Sequence, residues 1–114
     1  MNYYSLFVHL FHIFFVGGLF LYVGIYRNVC SKYIFNLLFT LGIIILFYHT
    51  YKAYVKISKN INPWVNLFHI CIIAPIILLI GYNGKDTKRF YFEFILMLAF
   101  ASIGYHLYYI FYTF

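Results

Sequence analysis

Residues 3–26 read YYSLFVHLFHIFFVGGLFLYVGIY, a run with no Asp, Glu, Lys or Arg. As a helix rising 1.5 Å per residue it exceeds the roughly 30 Å of a bilayer's hydrocarbon core. Three more mostly apolar stretches follow, at residues 33–55, 63–82 and 90–112, with Lys52 and Glu93 their only charged residues. The polar breaks between them, residues 27–32, 56–62 and 83–89, are short, so consecutive helices must be antiparallel neighbours. The reading is therefore all-α: a four-transmembrane-helix up-down-up-down bundle, one integral membrane domain over residues 1–114. Pro63 belongs in the first turn of its helix, where a missing N–H costs nothing. Pro75 falls in mid-span and should kink the third helix, which membrane helices tolerate.

Composition agrees. Of the 114 residues 66% are apolar and 9% charged, against about 25% charged in a soluble domain. Disorder needs the opposite balance. Seven glycines without a G-X-Y period exclude a collagen, and two cysteines exclude a disulfide scaffold. Cys30 and Cys71 fall at different depths, so no bridge is expected between them. The net charge of +6 sits mostly in the breaks, where basic side chains meet lipid headgroups. No basic patch interleaved with exposed aromatics points to nucleic acid. The partners this composition suits are the lipid bilayer, a second copy of the chain or another membrane protein.

Residues 3–26 have neither the basic start nor the small-residue cleavage pattern of a signal peptide, so the first span is read as retained. Both termini then lie on one side with Lys52, Lys56 and Lys59, while Arg27, Lys32, Lys85, Lys88 and Arg89 lie on the other. Five basic residues against three make the second side cytoplasmic and the termini non-cytoplasmic. Tyr3, Tyr4, Tyr51, Tyr54, Trp64, Tyr108, Tyr109 and Tyr112 gather towards the terminal side as an interfacial aromatic belt.

Sliding the sequence along itself by 57 places lays residues 5–57 on 62–114 without a gap, with 12 identities. Leu-Phe-His-Ile at 10–13 recurs at 67–70, and Tyr-His-x-Tyr at 48–51 recurs at 105–108. Gly17 aligns with Ala74 and Gly42 with Ala99. The chain is read as two tandem helical hairpins, repeat 1 at 5–57 and repeat 2 at 62–114. Two spans per repeat insert both copies the same way, about a pseudo-two-fold axis along the membrane normal.

The duplication retains His12, His49, His69 and His106. His49 precedes Lys59 by ten residues and His69 follows it by ten, which places both on the order of 10 Å inside their helix ends. The repeat puts His106 level with His49 and His12 level with His69, one intramembrane layer. His9 lies a turn from His12, and its repeat partner is Asn66. Intramembrane ionisable residues face a bundle interior and seek partners. Imidazole is a common metal and haem ligand. Four readings follow. The layer holds haem b, with His12 and His69 as the axial pair, His49 and His106 ligating instead or orienting it, and Lys52 and Lys56 near the propionates; it holds a transition-metal ion through His12, His49, His69 and His106; it conducts protons or cations on protonation; or the histidines are hydrogen-bond glue in a structural or assembly protein, with the neighbouring tyrosines as partners.

His12 to Tyr22, HIFFVGGLFLY, resembles the first helix of four-helix haem membrane proteins, the HemJ-type protoporphyrinogen oxidases and CopD-like copper-resistance proteins. That resemblance implies His12 as a haem ligand. The charged positions that HemJ-type proteins carry after this helix are not matched, so it does not extend to oxidase activity. The Phe, Ile, Tyr, Lys and Asn bias is similar to that of small multipass membrane proteins of giant DNA viruses.

No catalytic residue is assigned. Asp86 and Glu93 are the only acids, one in a break and one at a helix start, which is no carboxylate pair. No serine has a base and an orienting acid in reach. Neither a phosphate-binding glycine loop nor a potassium filter occurs. The composition reads as a non-enzymatic membrane protein.

Overall fold

The computed structural model describes residues 2–113, and every regular element in them is helical. Four helices are long and apolar enough to cross a membrane: α1 (Tyr3–Val29), α2 (Lys32–Ser58), α3 (Trp64–Asp86) and α4 (Arg89–Thr113). Each runs further into the polar breaks than hydropathy alone indicates. Single helical turns of the tighter 3₁₀ kind, Arg27–Val29 and Gly84–Asp86, extend α1 and α3. In α2, Lys52 and Lys56 continue the helix because long basic side chains lose little rotamer freedom there and can reach towards water.

The helix ends follow from short polar side chains. Asn2 Oδ1 accepts the Ser5 N–H at 2.7 Å and Ser31 Oγ the Ile34 N–H at 3.4 Å, both satisfying first-turn donors. At α3, Asn62 Oδ1 accepts the Trp64 N–H at 3.1 Å and the Pro63 carbonyl accepts Leu67 at 2.9 Å. Pro63 thus stands just before the first turn, as the cap residue. The α2 helix closes with Asn60 in the left-handed region at φ 58° and Ile61 N–H returning to Lys56 O at 2.8 Å, a Schellman-type stop.

Both α1 and α3 are interrupted by one wide turn. Gly17 N–H reaches back five residues to His12 O, and Ala74 N–H reaches back five to His69 O. These π-turns span His12–Val16 and His69–Ile73, each opening on a histidine. Turns of this kind are rare and recur at functional sites. Pro75 falls just after the second one, where the ladder already changes register and its missing donor disturbs least.

The chain divides into two compact units, residues 1–27 with 88–114 and residues 28–87. In the first, α1 packs antiparallel on α4. Its core is Val16, Phe20, Val23, Phe92, Ile95, Leu98 and Ala99. A Cβ on Gly24 would lie 2.8 Å from Leu96 Cβ and 3.0 Å from its Cα, so the backbones meet there because no side chain intervenes. In the second, α2 packs antiparallel on α3 around Phe35, Leu38, Leu41, Ile45, Ile73, Ala74, Ile77 and Ile80. A Cβ on Gly81 would lie 2.7 Å from the Phe39 N and Cβ. Asn28 Nδ2 donates to the carbonyls of Lys85 and Thr87, tying the start of this unit to its end. Cys30 and Cys71, both in this unit, are free thiols.

Outside these stripes the helices are greasy. Phe14, Phe47, Met97 and Phe111 are each at least two-thirds exposed, alongside Ile25, Ile44 and Phe100. Only 22–28% of the residues in each helix's most apolar window are buried. A water-soluble monomer rarely shows apolar surface on that scale.

Candidate functional site

Each unit carries one histidine stack, pairing the histidine that opens a π-turn with one on a continuous α-helix. In the first unit His12 and His106 lie with ring centroids 4.2 Å apart and planes 23° from parallel. In the second, His49 and His69 lie 4.0 Å apart at 12°. His106 is buried and the other three are half-buried.

Hydrogen bonds fix how two of the rings carry their proton. His12 Nδ1 donates to Val8 O and His69 Nδ1 to Val65 O, each at 2.7 Å and each four residues back on the same helix. A carbonyl can only accept, so Nδ1 holds the hydrogen in both rings. As neutral imidazoles both carry the lone pair on Nε2. A backbone carbonyl holding the distal N–H is also how proteins orient metal-binding histidines. The other two histidines are held differently. Asn66 Nδ2 donates to His49 Nδ1 at 2.8 Å, and His9 Nδ1 lies 2.8 Å from His106 Nδ1.

The surroundings are mostly apolar and aromatic. Tyr109 lies parallel to His9, centroids 6.2 Å apart. Ser102 Oγ donates to His12 O at 3.3 Å, meeting a carbonyl that the π-turn leaves with spare capacity. Asn66 is buried at 4% exposure, and its Oδ1 has no hydrogen-bond partner.

Of the residues singled out from sequence, the structure brings His12 to His106 and His49 to His69. Lys52 Nζ lies 5.9 Å from the Tyr48 ring centroid, and Lys56 lies in the last turn of α2. Among the described residues no three His, Cys, Asp or Glu side chains are grouped to hold a metal ion. Sequence reasoning noted His9 and Asn66 only as aligned neighbours. Their three-residue spacing from His12 and His69 was the available signal, since positions i and i+3 share a helix face. Glu93 pairs with Arg89 at 2.7 Å on an exposed face, a contact that contributes little.

Compared with known protein families, curated proteins and solved structures, the chain matches none of them. What can be stated is the class: an all-helical protein with four apolar helices of membrane-spanning length and one histidine stack in each of two helix pairs.

Proposed function

We propose that this is an integral membrane protein that binds haem, or a transition-metal ion, through His12 and His69 and passes electrons. The observation that carries the reading is the matched pair of 2.7 Å bonds from His12 Nδ1 to Val8 O and from His69 Nδ1 to Val65 O. Both rings are thereby oriented in the tautomer in which Nε2 can ligate iron. A bound haem would supply a one-electron centre. The chain's own part would be to hold each imidazole by its Nδ1 on its own helix, and Lys52 and Lys56 would meet the propionates.

Membrane insertion is supported by the mean hydropathy of the four helices, 1.7 to 2.2 over their best windows, and by their exposed phenylalanines. In this reading they form the up-down-up-down bundle, with the termini on the non-cytoplasmic side. The tandem-hairpin origin is supported by what recurs 57 positions apart: the π-turns at 12 and 69, the buried pairs Phe20/Ile77, Phe35/Phe92 and Leu38/Ile95, and the close approaches Gly24/Leu96 and Gly81/Phe39.

The test is an absorbance spectrum and metal analysis of the detergent-solubilised protein. A Soret band that His12→Ala or His69→Ala abolishes is expected. A protein with no Soret band and no stoichiometric iron, copper or zinc excludes this reading.

A second reading, a proton or cation pathway, is favoured by one observation, the His9–His106 contact. Two Nδ1 atoms at 2.8 Å must share a hydrogen, as links in a proton relay do. Proteoliposome flux that rises as pH falls through about 6 and disappears in His106→Ala is its required result.

A further inference from the structure

Each unit has one close backbone approach, Gly24 on Leu96 in the first and Gly81 on Phe39 in the second, and these residues correspond under the 57-residue shift. The side chains around the two approaches do not match. In the second unit Asn36, Phe39 and Thr40 of α2 and Gly81 and Tyr82 of α3 line an open cleft of about 300 Å³, at the small end for ligand clefts. Asn36, Thr40 and Tyr82 are exposed. Their counterparts in the first unit are Glu93, Met97 and Ile25. Glu93 is taken up by Arg89 at 2.7 Å, and the other two are apolar. An edge of uncharged donors is therefore built in the second unit and not at the matching positions of the first.

Along α2, Asn36 lies one turn and Thr40 two turns from Lys32, about 6 and 12 Å inward on one helix face. In the membrane reading both enter a span, where an unmet polar group costs free energy. A helical threonine can meet that need by turning back four residues, as Thr50 Oγ1 does to Leu46 O at 2.6 Å. Among the described residues neither the Thr40 hydroxyl nor the Asn36 amide makes a hydrogen bond. Lys85, also exposed, follows one turn after Gly81, and Asn28 Nδ2 holds its carbonyl close to the start of α2. The cleft thus offers amide and hydroxyl hydrogens, with two ammonium groups at the outer end of the same unit. Asp86 is that unit's only acid.

We propose that this cleft binds one anionic phospholipid, with Lys32 and Lys85 on its phosphodiester and Asn36, Thr40 and Tyr82 donating to its glycerol ester oxygens. Phosphodiester and ester oxygens only accept, which matches a set of amide, hydroxyl and ammonium donors. Basic sites between membrane helices recognise lipid headgroups in this way. A second copy of the chain suits the cleft less, because a two-fold contact would set each lysine against its twin. The proposal rests on membrane insertion and is independent of the histidines.

The full chain, purified in detergent, is titrated with phosphatidylglycerol and with phosphatidylcholine of the same acyl chains, and native mass spectrometry counts the lipids retained. One phosphatidylglycerol, bound roughly tenfold more tightly than phosphatidylcholine, is expected. Asn36→Leu with Thr40→Val should weaken both lipids, and Lys32→Gln with Lys85→Gln should erase the preference, each with helical content unchanged by circular dichroism. Met97→Leu, at the matching place in the first unit, should change nothing. Equal retention of the two lipids by the unaltered chain overturns the proposal, as does undiminished binding in either double variant. Displacement of phosphatidylglycerol by millimolar inorganic phosphate assigns the site to free phosphate and overturns the lipid. A dimer mass that Asn36→Leu abolishes assigns the cleft to a second copy and overturns it as well. A chain that stays monomeric in buffer without detergent overturns membrane insertion itself, whereas absence of lipid preference in a chain that still needs detergent overturns this site alone.

Discussion

His9 Nδ1 and His106 Nδ1 lie 2.8 Å apart across the α1–α4 interface, and Asn66 Nδ2 lies the same distance from His49 Nδ1 across α2–α3. One geometry is thus made by a residue that can change protonation and by one that cannot. What both positions supply is a polar partner at hydrogen-bond distance from the facing ring, which is a statement about hydrogen bonding in an apolar setting.

That requirement makes His9 replaceable in a specific way. His9→Asn should keep the bond to His106 and cost little, whereas His9→Leu removes that hydrogen bond to His106 Nδ1. The loss should be about 0.6–2 kcal/mol, the range for hydrogen bonds between membrane helices. Unfolding in mixed detergent micelles measures it. Equal destabilisation by both variants would show that ring packing against Tyr109, and not the hydrogen bond, is what His9 contributes.

The glycines separate into those that hold helices together and those that do not. A Cβ on Gly24 would press on the Leu96 Cα, and one on Gly81 on the Phe39 backbone, neither of which can rotate away. Gly24→Ala and Gly81→Ala should therefore each cost about 1–3 kcal/mol, as overpacking does. Gly18 and Gly104 meet nothing within 4 Å, so alanine there should be neutral or mildly stabilising through helix propensity. The same micelle unfolding assay ranks all four.

Much of this was legible in the sequence, and the parts that were not have identifiable causes. Four helices followed from the long, nearly uncharged runs, because hydropathy over some twenty residues is a strong signal. Their ends were read short at Val29, Ser58 and Asp86 because hydropathy stops at the first polar residue while helical hydrogen bonding does not. His12 and His69 stood out through Leu-Phe-His-Ile. Their stacking partners depend on which helices pack, which periodicity does not specify. The wide turns at His12 and His69 lack any compositional mark: one is followed by Gly17 and Gly18, the other by Ala74 and Pro75. For the same reason the ring partners His9 and Asn66 could be aligned but not assigned a role.

Arg27 occupies a backbone conformation suited to glycine. Its φ of 52° and ψ of −123° nearly match Gly84 at 55° and −128°, each ending a helix with its N–H bonded four residues back, to Val23 O and Ile80 O respectively. Side-chain-bearing residues pay about 1–3 kcal/mol there, and Arg27 Nε is also buried without a partner. Glycine at 27 gives back part of the gain through its more flexible unfolded chain. Arg27→Gly should stabilise by about 1 kcal/mol. Gly84→Ala should destabilise by about 1–3 kcal/mol through backbone strain alone, since its Cβ would meet Phe35 at an ordinary 3.5 Å. Matching signs for the two variants would contradict this account.

Cys30 offers a pH-dependent test of the turn that joins α1 to α2. It is 7% exposed, and burial pushes its thiol above the ordinary value because the thiolate loses hydration. Only the thiolate attacks a maleimide, so at pH 7.5 in a Cys71→Ser background labelling should be slow. An ordinary thiol's rate levels off once pH passes about 8.5, and the Cys30 rate should still be climbing above that point. The sign follows from the raised value: at any pH below it the folded chain holds less thiolate than the unfolded chain. Unfolding in SDS should return the profile to that of an ordinary thiol. A folded-state rate that levels off at or below the unfolded-state pH would mean that the thiol is hydrated, and that the turn at residues 27–32 packs less closely than its burial indicates.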